Sequence, residues 1–380
     1  MVVAASFVAV AARMSLVQFL GIYFVHRAGI DVTTVGLAFL AENLARGLLS
    51  PVFGALSDRV GRRTLLIGSS TLTAAILPAF LLVQGPASLF GWSLALGTVG
   101  AINIPVSSAL LLDLAPVERR QSVLALNYAA MSVAYTLGVV PAGYIAQHSY
   151  ALLAATSAGG YLVVALLYIL ALRGALPVEK NPSETGIVGH TVGAFTDRRF
   201  ALFAGVAFVF PLSMGMLVTV SPLYGSDLGL GEGYIGLVLG GNSVLVALLA
   251  LPVASRIEAR GPFRWLGAAA AIVAVSLALY ALVPDPASAF LAGTVLYSFG
   301  EVVFSSAVPA AVARLAPAGR RGAYQGAWAL VASFSIGSAL FLSGLVAKVA
   351  GWPAAWVAAA GLTLVAAALL ALLGRRFQNA

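Results

Sequence analysis

The feature that most restricts the fold is a succession of long apolar runs separated only by short polar turns. Split at Pro, Gly and charge clusters, the chain gives twelve spans. They lie near 4–25, 33–54, 64–84, 91–113, 122–146, 150–172, 201–224, 233–254, 264–284, 287–313, 323–347 and 353–373. Each is close to the roughly 20 residues a helix needs to cross a hydrocarbon layer. Inside lipid every backbone N–H and C=O must be satisfied within its own segment, so such runs form helices. Of the 380 residues, 61% are hydrophobic and 9% charged, with mean hydropathy +1.00. A soluble globule does not reach these values, and the expected class is an all-α integral membrane protein.

The charges are distributed by loop. Seventeen of the 21 Lys and Arg fall in alternate connections and at the C-terminal end, among them Arg59, Arg119, Arg198, Arg256, Arg320 and Arg375. The opposite connections hold Arg27 and Lys348 with Asp31, Asp227, Glu232 and Asp285. The positive-inside bias makes the arginine-rich side cytoplasmic and puts both termini there, with the cell inner (plasma) membrane as the expected location. The net charge of +8 and pI near 10.0 are therefore topogenic, and no nucleic-acid partner is expected. The first run carries Arg13 and lacks a basic leader, so no cleavable signal is expected.

Residues 173–199 form the one long polar connection, with Pro177, Pro182, Gly186 and Gly189. They divide the chain into a six-helix bundle at 1–172, a cytoplasmic linker at 173–199 and a second bundle at 200–380. An internal repeat supports the division. At an offset of 201, Leu114-Ala115-Pro116 with Arg119-Arg120 falls on Leu315-Ala316-Pro317 with Arg320-Arg321. Pro51 falls on Pro252, Tyr23 on Tyr224 and Gly143 on Gly344. Six spans per copy, an even number, put the two copies in the same orientation.

An ionised side chain at mid-bilayer costs about 2.5–3.5 kcal/mol on insertion scales, so it needs a partner or a wet cavity. Arg13, Glu42, Arg46 and Glu301 lie near the middle of spans, with Asn43, Asn103 and Asn242 at similar depth. Glu42 and Arg46 are four apart and share a helix face. With Arg13 they make a cluster carrying one surplus positive charge. Two readings stand: a site for an anionic group or a proton, or a neutral Glu42–Arg46 pair that holds helices together. Glu301 has no mid-membrane cation in its half and is expected to bind a proton, either for coupling or as a permanently protonated core group. Tyr128, Ser132 and Tyr135 form a stripe on span 5, and Tyr324 and Trp328 lie on span 11; they line a cavity or pack helices.

Between spans 2 and 3 runs Gly54-Ala-Leu-Ser-Asp58-Arg59-Val-Gly61-Arg62-Arg63. The pattern G-x-L-x-D-R-x-G-R-R resembles the signature of the major facilitator superfamily, and the twelve spans, the repeat and the linker extend the resemblance over the whole chain. The family implies two pseudo-symmetric six-helix bundles related as parallel repeats. It also implies that the motif is a conformational latch stabilising the outward-facing state. Gly54 would permit close approach of span 2 to span 11, and Asp58 would face the N-terminal end of span 11. Arg62 would pair with Asp58 or nearby loop acids, while Arg59 and Arg63 would be topogenic or lipid-facing.

Within the family the chain is similar to the drug/proton antiporter branch, with two departures. Span 4 carries Asn103 where that branch often has an arginine. Gly138-Val-Val-Pro141-Ala-Gly143 only partly matches its span-5 pattern. The resemblance implies proton-coupled transport of a small organic or amphipathic solute by alternating access, with export favoured. The alternatives are symport or exchange of an organic anion, or a lipid-type substrate. The expected partners are a small-molecule substrate, protons and the bilayer, for a monomeric chain.

An enzyme is disfavoured. His26, His148 and His190 lie in loops or at span ends, and no H-E-x-x-H, Walker loop or G-x-S-x-G turn is present. With no Cys, disulfides and thiolate metal sites are excluded. No cofactor is expected, and an ion or solute gradient remains as the energy source.

Overall fold

The computed structural model describes residues 1–116, 119–172, 193–317 and 320–378, and all the elements below are helical. The first six helices are α1 (Val2–Ile22, extended by a π-helical turn Tyr23–Arg27), α2 (Val32–Val60), α3 (Arg62–Ile76), α4 (Pro86–Leu114), α5 (Arg120–His148) and α6 (Tyr150–Ala171). Next comes α7, the span Arg198–Asp227, with a π-turn at Met216–Val220. It is followed by α8 (Glu232–Arg260), α9 (Phe263–Leu282), α10 (Pro286–Leu315) and α11 (Arg321–Gln378).

Ten helices among the described residues are long and apolar enough to cross a membrane. The last of them is broken at Gly351 (φ 83°) into two arms, and the 29-residue α5 supplies a further length of helix. The observed elements are consistent with twelve spans. Of the expected linker, residues 173–192 lie outside the described residues. From Gly193 the chain makes a short 3₁₀ turn, Ala194–Thr196, and span 7 starts at Arg198 instead of 201. The earlier start has a local cause: Asp197 accepts from the backbone N–H groups of Arg199 and Phe200 and caps the helix there.

Two compact units emerge: Met1–Thr185 with Gly231–Gly240, and Gly186–Leu230 with Gly241–Ala380. In the first unit, Tyr23, Phe24, Phe80, Trp92 and Tyr150 form an aromatic layer, with Tyr23 4.7 Å from Phe80 and 5.1 Å from Tyr150 between ring centroids. In the second, Tyr280 stacks on Trp356 at 4.3 Å and Tyr224 lies 5.7 Å from the same indole. Lipid tails are as apolar as these side chains, so helix association rests on close packing.

Small residues set that packing where it matters for the polar groups. A Cβ on Gly97 of α4 would sit 2.3 Å from the carbonyl oxygen of Glu42, so α2 and α4 touch backbone to backbone at the acid. A Cβ on Gly160 of α6 would sit 2.7 Å from the Cβ of Ala12, beside Arg13. The turn between α2 and α3 needs a glycine for a different reason. Gly61 has φ 95°, a region side chains avoid, and it ends α2 within the charged motif. Gly261 does the same between α8 and α9 with φ 83°, so a positive-φ glycine turn recurs in the second unit, one residue short of the offset position of Gly61.

Candidate functional sites

The first unit brings Arg13, Glu42 and Arg46 together. Arg13 Nη2 donates to Glu42 Oε1 at 2.7 Å, and Arg46 Nη2 donates to the same oxygen. The Glu42 side chain is only 5% exposed. The sequence pairs Glu42 with Arg46 on one helix face and counts Arg13 only as a third member of the cluster at similar depth. The structure adds Arg13 to the same carboxylate, because the α1–α6 contact at Ala12 and Gly160 and the α2–α4 contact at Gly97 deliver both arginines to it. Two guanidinium groups against one carboxylate leave a net charge of +1 inside the bundle. Breaking such a buried set by removing its acid is far more costly than any net stability it adds.

Tyr161, one residue after Gly160, lies close enough to Arg13 for its hydroxyl to interact electrostatically with the guanidinium. Gly100 lies under Arg46, where a Cβ would come 3.2 Å from Nε. That buried Nε has no hydrogen-bond partner among the described residues. Asn103, one turn on from Gly100, likewise has a buried Oδ1 without a partner there. Asn43 stands apart: its Nδ2 donates to the Phe39 carbonyl of its own helix at 2.9 Å. Tyr135 accepts from Gln18 Nε2 across α1 and α5. The side chain of Tyr128 lies outside the described residues.

In the second unit Asn242 of α8 donates from Nδ2 to Ser298 Oγ at 2.9 Å and to Glu301 Oε2 at 3.0 Å, both on α10. Among the described residues no ion pair reaches Glu301. Its expected helical neighbours point elsewhere. The Tyr297 hydroxyl is 3.4 Å from Ser213 Oγ on α7, and Ser305 Oγ donates to the Val302 carbonyl. Tyr324 donates to Asp197 Oδ2 at 2.8 Å, and Trp328 packs 6.2 Å from Phe203, so both join helices together.

Within the motif, Gly54 faces α4, where a Cβ would meet Pro105 Cβ at an ordinary 4.0 Å. Arg62 Nη1 lies 2.5 Å from Asp113 Oδ2 at the end of α4, so a helix-end acid is among its partners. Arg59 and Arg63 are exposed, and the Asp58 side chain lies outside the described residues. Among the described residues no three His, Asp or Glu side chains converge as a metal site.

Sequence reasoning misses Gln18, Tyr161 and Ser298. For two of them a signal exists. Ser298 is three residues before Glu301 on one helix face, and Tyr161 follows a Gly-Gly pair that marks close helix contact.

A many-helix apolar chain with polar clusters buried at mid-span is a multi-pass membrane protein. Residues 2–233 and 203–379 each match the profile of the Major Facilitator Superfamily. The chain belongs to that family and is a secondary transporter of its type. It is 23% identical over 337 residues to an uncharacterized MFS-type transporter, YqjV, of Bacillus subtilis (strain 168), covering 82% of this chain and 77% of the relative. It is 25% identical over 341 residues to a Na(+), Li(+), K(+)/H(+) antiporter of Planococcus maritimus, covering 80% and 79%. Among solved structures, the nucleoside transporter NupG superposes with TM-score 0.83 at 15% identity over 98% of both chains. A peptide transporter POT superposes with TM-score 0.78 at 15% identity, over 99% of this chain and 94% of that one. These two likenesses establish the fold.

Proposed function

We propose that the protein is a proton-coupled antiporter that exports a small organic or amphipathic solute by alternating access. The carrying observation is the setting of Glu301: a carboxyl in the middle of α10, held by Asn242 at 3.0 Å, with no ion pair among the described residues. A carboxyl so placed gains or loses a proton at small electrostatic cost to its neighbours, which is what a coupling group must do. The antiporter from Planococcus maritimus lends support, since its named reaction exchanges cations for protons. The proton gradient supplies the energy, without a bound cofactor. The arginine-rich ends of the helices and both termini face the cytoplasm, and the chain works as a monomer in the plasma membrane.

The test is proton flux in proteoliposomes loaded with a pH-sensitive dye. Alkali cations, a lipophilic organic cation and an organic anion are supplied in turn, with wild type and Glu301→Gln. Cation-driven proton movement that disappears in Glu301→Gln is the expected result. Solute transport that ignores the pH gradient, or survives unchanged in the variant, overturns the reading. One observation favours a second reading. The surplus positive charge of Arg13 and Arg46 over Glu42 suits an organic anion. Anion uptake or exchange that is lost in Arg13→Gln would establish it instead.

A further inference from the structure

We propose that the arginine-rich end of the second unit docks the headgroup of an anionic phospholipid at a site centred on Arg314. The reason lies in how the repeat treats one pair of positions. In the first unit Arg62 and Asp113 form an ion pair. At the offset of 201 their counterparts are Phe263 and Arg314, so a neutral pair is replaced by an aromatic ring and an unopposed cation.

Arg314 is exposed and lies beside the α8–α9 turn. The Cβ position of Gly261, at the α8–α9 turn, is 3.1 Å from Arg314 Nη1, so the guanidinium lies against that turn. The α8 end, the α9 start and the α10 end therefore meet there. The last arm of α11 arrives as well: a Cβ on Gly374 would be 2.8 Å from the Phe263 carbonyl oxygen. Arg260 and Arg264 flank the same turn and are exposed.

All ten arginines after residue 197 lie at this end of the unit, and each is exposed. Among the described residues none of them is in an ion pair. Among the described residues the nearby acids do not balance them. Asp197 is occupied by Tyr324 and the start of α7, and Glu258 is one carboxylate. Trp265, beside Arg264, has a buried indole Nε1 with no acceptor among the described residues. A tryptophan at the edge of the apolar band is the usual companion of a headgroup.

The chemistry required of the ligand is a phosphate ester with net negative charge at the depth of the helix ends. A lipid headgroup is delivered there by its own chains. Each arginine near a charged membrane surface contributes about five-fold in affinity. A diffuse topogenic charge has no fixed receptor; a guanidinium seated on a turn glycine has one.

Native mass spectrometry of the purified full chain in detergent tests this. Phosphatidylglycerol, phosphatidylcholine or inorganic phosphate is added, and bound lipid is counted. Retention of phosphatidylglycerol over phosphatidylcholine is expected, falling about five-fold in Arg314→Gln and again in Arg260→Gln/Arg264→Gln. Arg314→Lys should retain most of the binding, and Arg59→Gln/Arg63→Gln, which removes two exposed arginines of the first unit, should leave it unchanged. If Arg314→Gln aggregates, the Arg260→Gln/Arg264→Gln variant carries the comparison. Equal loss in the first-unit variant overturns the site in favour of bulk charge. Displacement of the lipid by inorganic phosphate overturns the lipid assignment in favour of a free anion.

Discussion

Asn242 spends both hydrogens of its amide on α10, one on Ser298 Oγ at 2.9 Å and one on Glu301 Oε2 at 3.0 Å. The amide thereby fixes the carboxyl without supplying a charge. Asn242→Ala removes both donors from buried acceptors and is expected to cost about 1–3 kcal/mol. Glu301→Gln keeps an acceptor oxygen in place and should cost less than half of that. Thermal unfolding in detergent of the two variants checks the order.

Glu42 serves Arg13 and Arg46 through one oxygen. Glu42→Gln strands two interior guanidinium groups, and a loss of about 3–5 kcal/mol is expected. Arg46→Met leaves the Arg13–Glu42 pair intact and should be much milder. Similar losses in both variants would show that the shared carboxylate is not what neutralises the cluster.

Two glycines of the first unit separate a packing role from a motif role. Gly97→Ala drives a methyl to 2.3 Å from the Glu42 carbonyl oxygen and should destabilise by about 1–3 kcal/mol through displacement of α4. Gly54→Ala meets Pro105 at 4.0 Å and should leave the melting temperature nearly unchanged. Any effect of Gly54→Ala on transport then belongs to the conformational cycle and not to folding.

Asp197 offers a pH test outside the membrane spans. Partial burial would raise its carboxyl, but the Tyr324 hydroxyl and the N–H groups of Arg199 and Phe200 outweigh it and hold the group below the usual aspartate range. A depressed value means stability that is present above the unfolded value, about pH 3.9, and lost as pH falls through the lower folded value. Tyr324→Phe should therefore cost about 1 kcal/mol at neutral pH, with the difference from wild type closing below about pH 4. A gap that stays constant down to pH 3 would mean that Tyr324 acts only by packing.

Much of this architecture is legible in sequence because lipid imposes simple rules. Apolar length gives spans, arginine placement gives loops, and the repeat brings a glycine, Gly261, to within one residue of the offset position of Gly61, where a second positive-φ turn occurs. Mid-span charges are equally visible, because little else tolerates Arg13, Glu42, Arg46 or Glu301 in a run of Leu, Ala and Val. Partners are harder to read. Arg13 meets Glu42 because Gly97 and Gly160 let backbones touch, and nothing in the spacing of 29 residues encodes that. Asn43 shows the converse: depth and polarity mark it, yet a carbonyl one turn back satisfies it. The start of α7 moved for a similarly local reason, a single aspartate cap.

The break at Gly351 has a practical consequence for anyone who would engineer this chain. One glycine reverses the last hairpin, and the Trp352 indole donates to Asp227 Oδ2 at 2.6 Å just beyond it. There is no slack at that bend, and its neighbour is tied to the end of α7. An epitope or fluorophore loop spliced in at that point would pull on two helices at once, so labels belong at the chain termini.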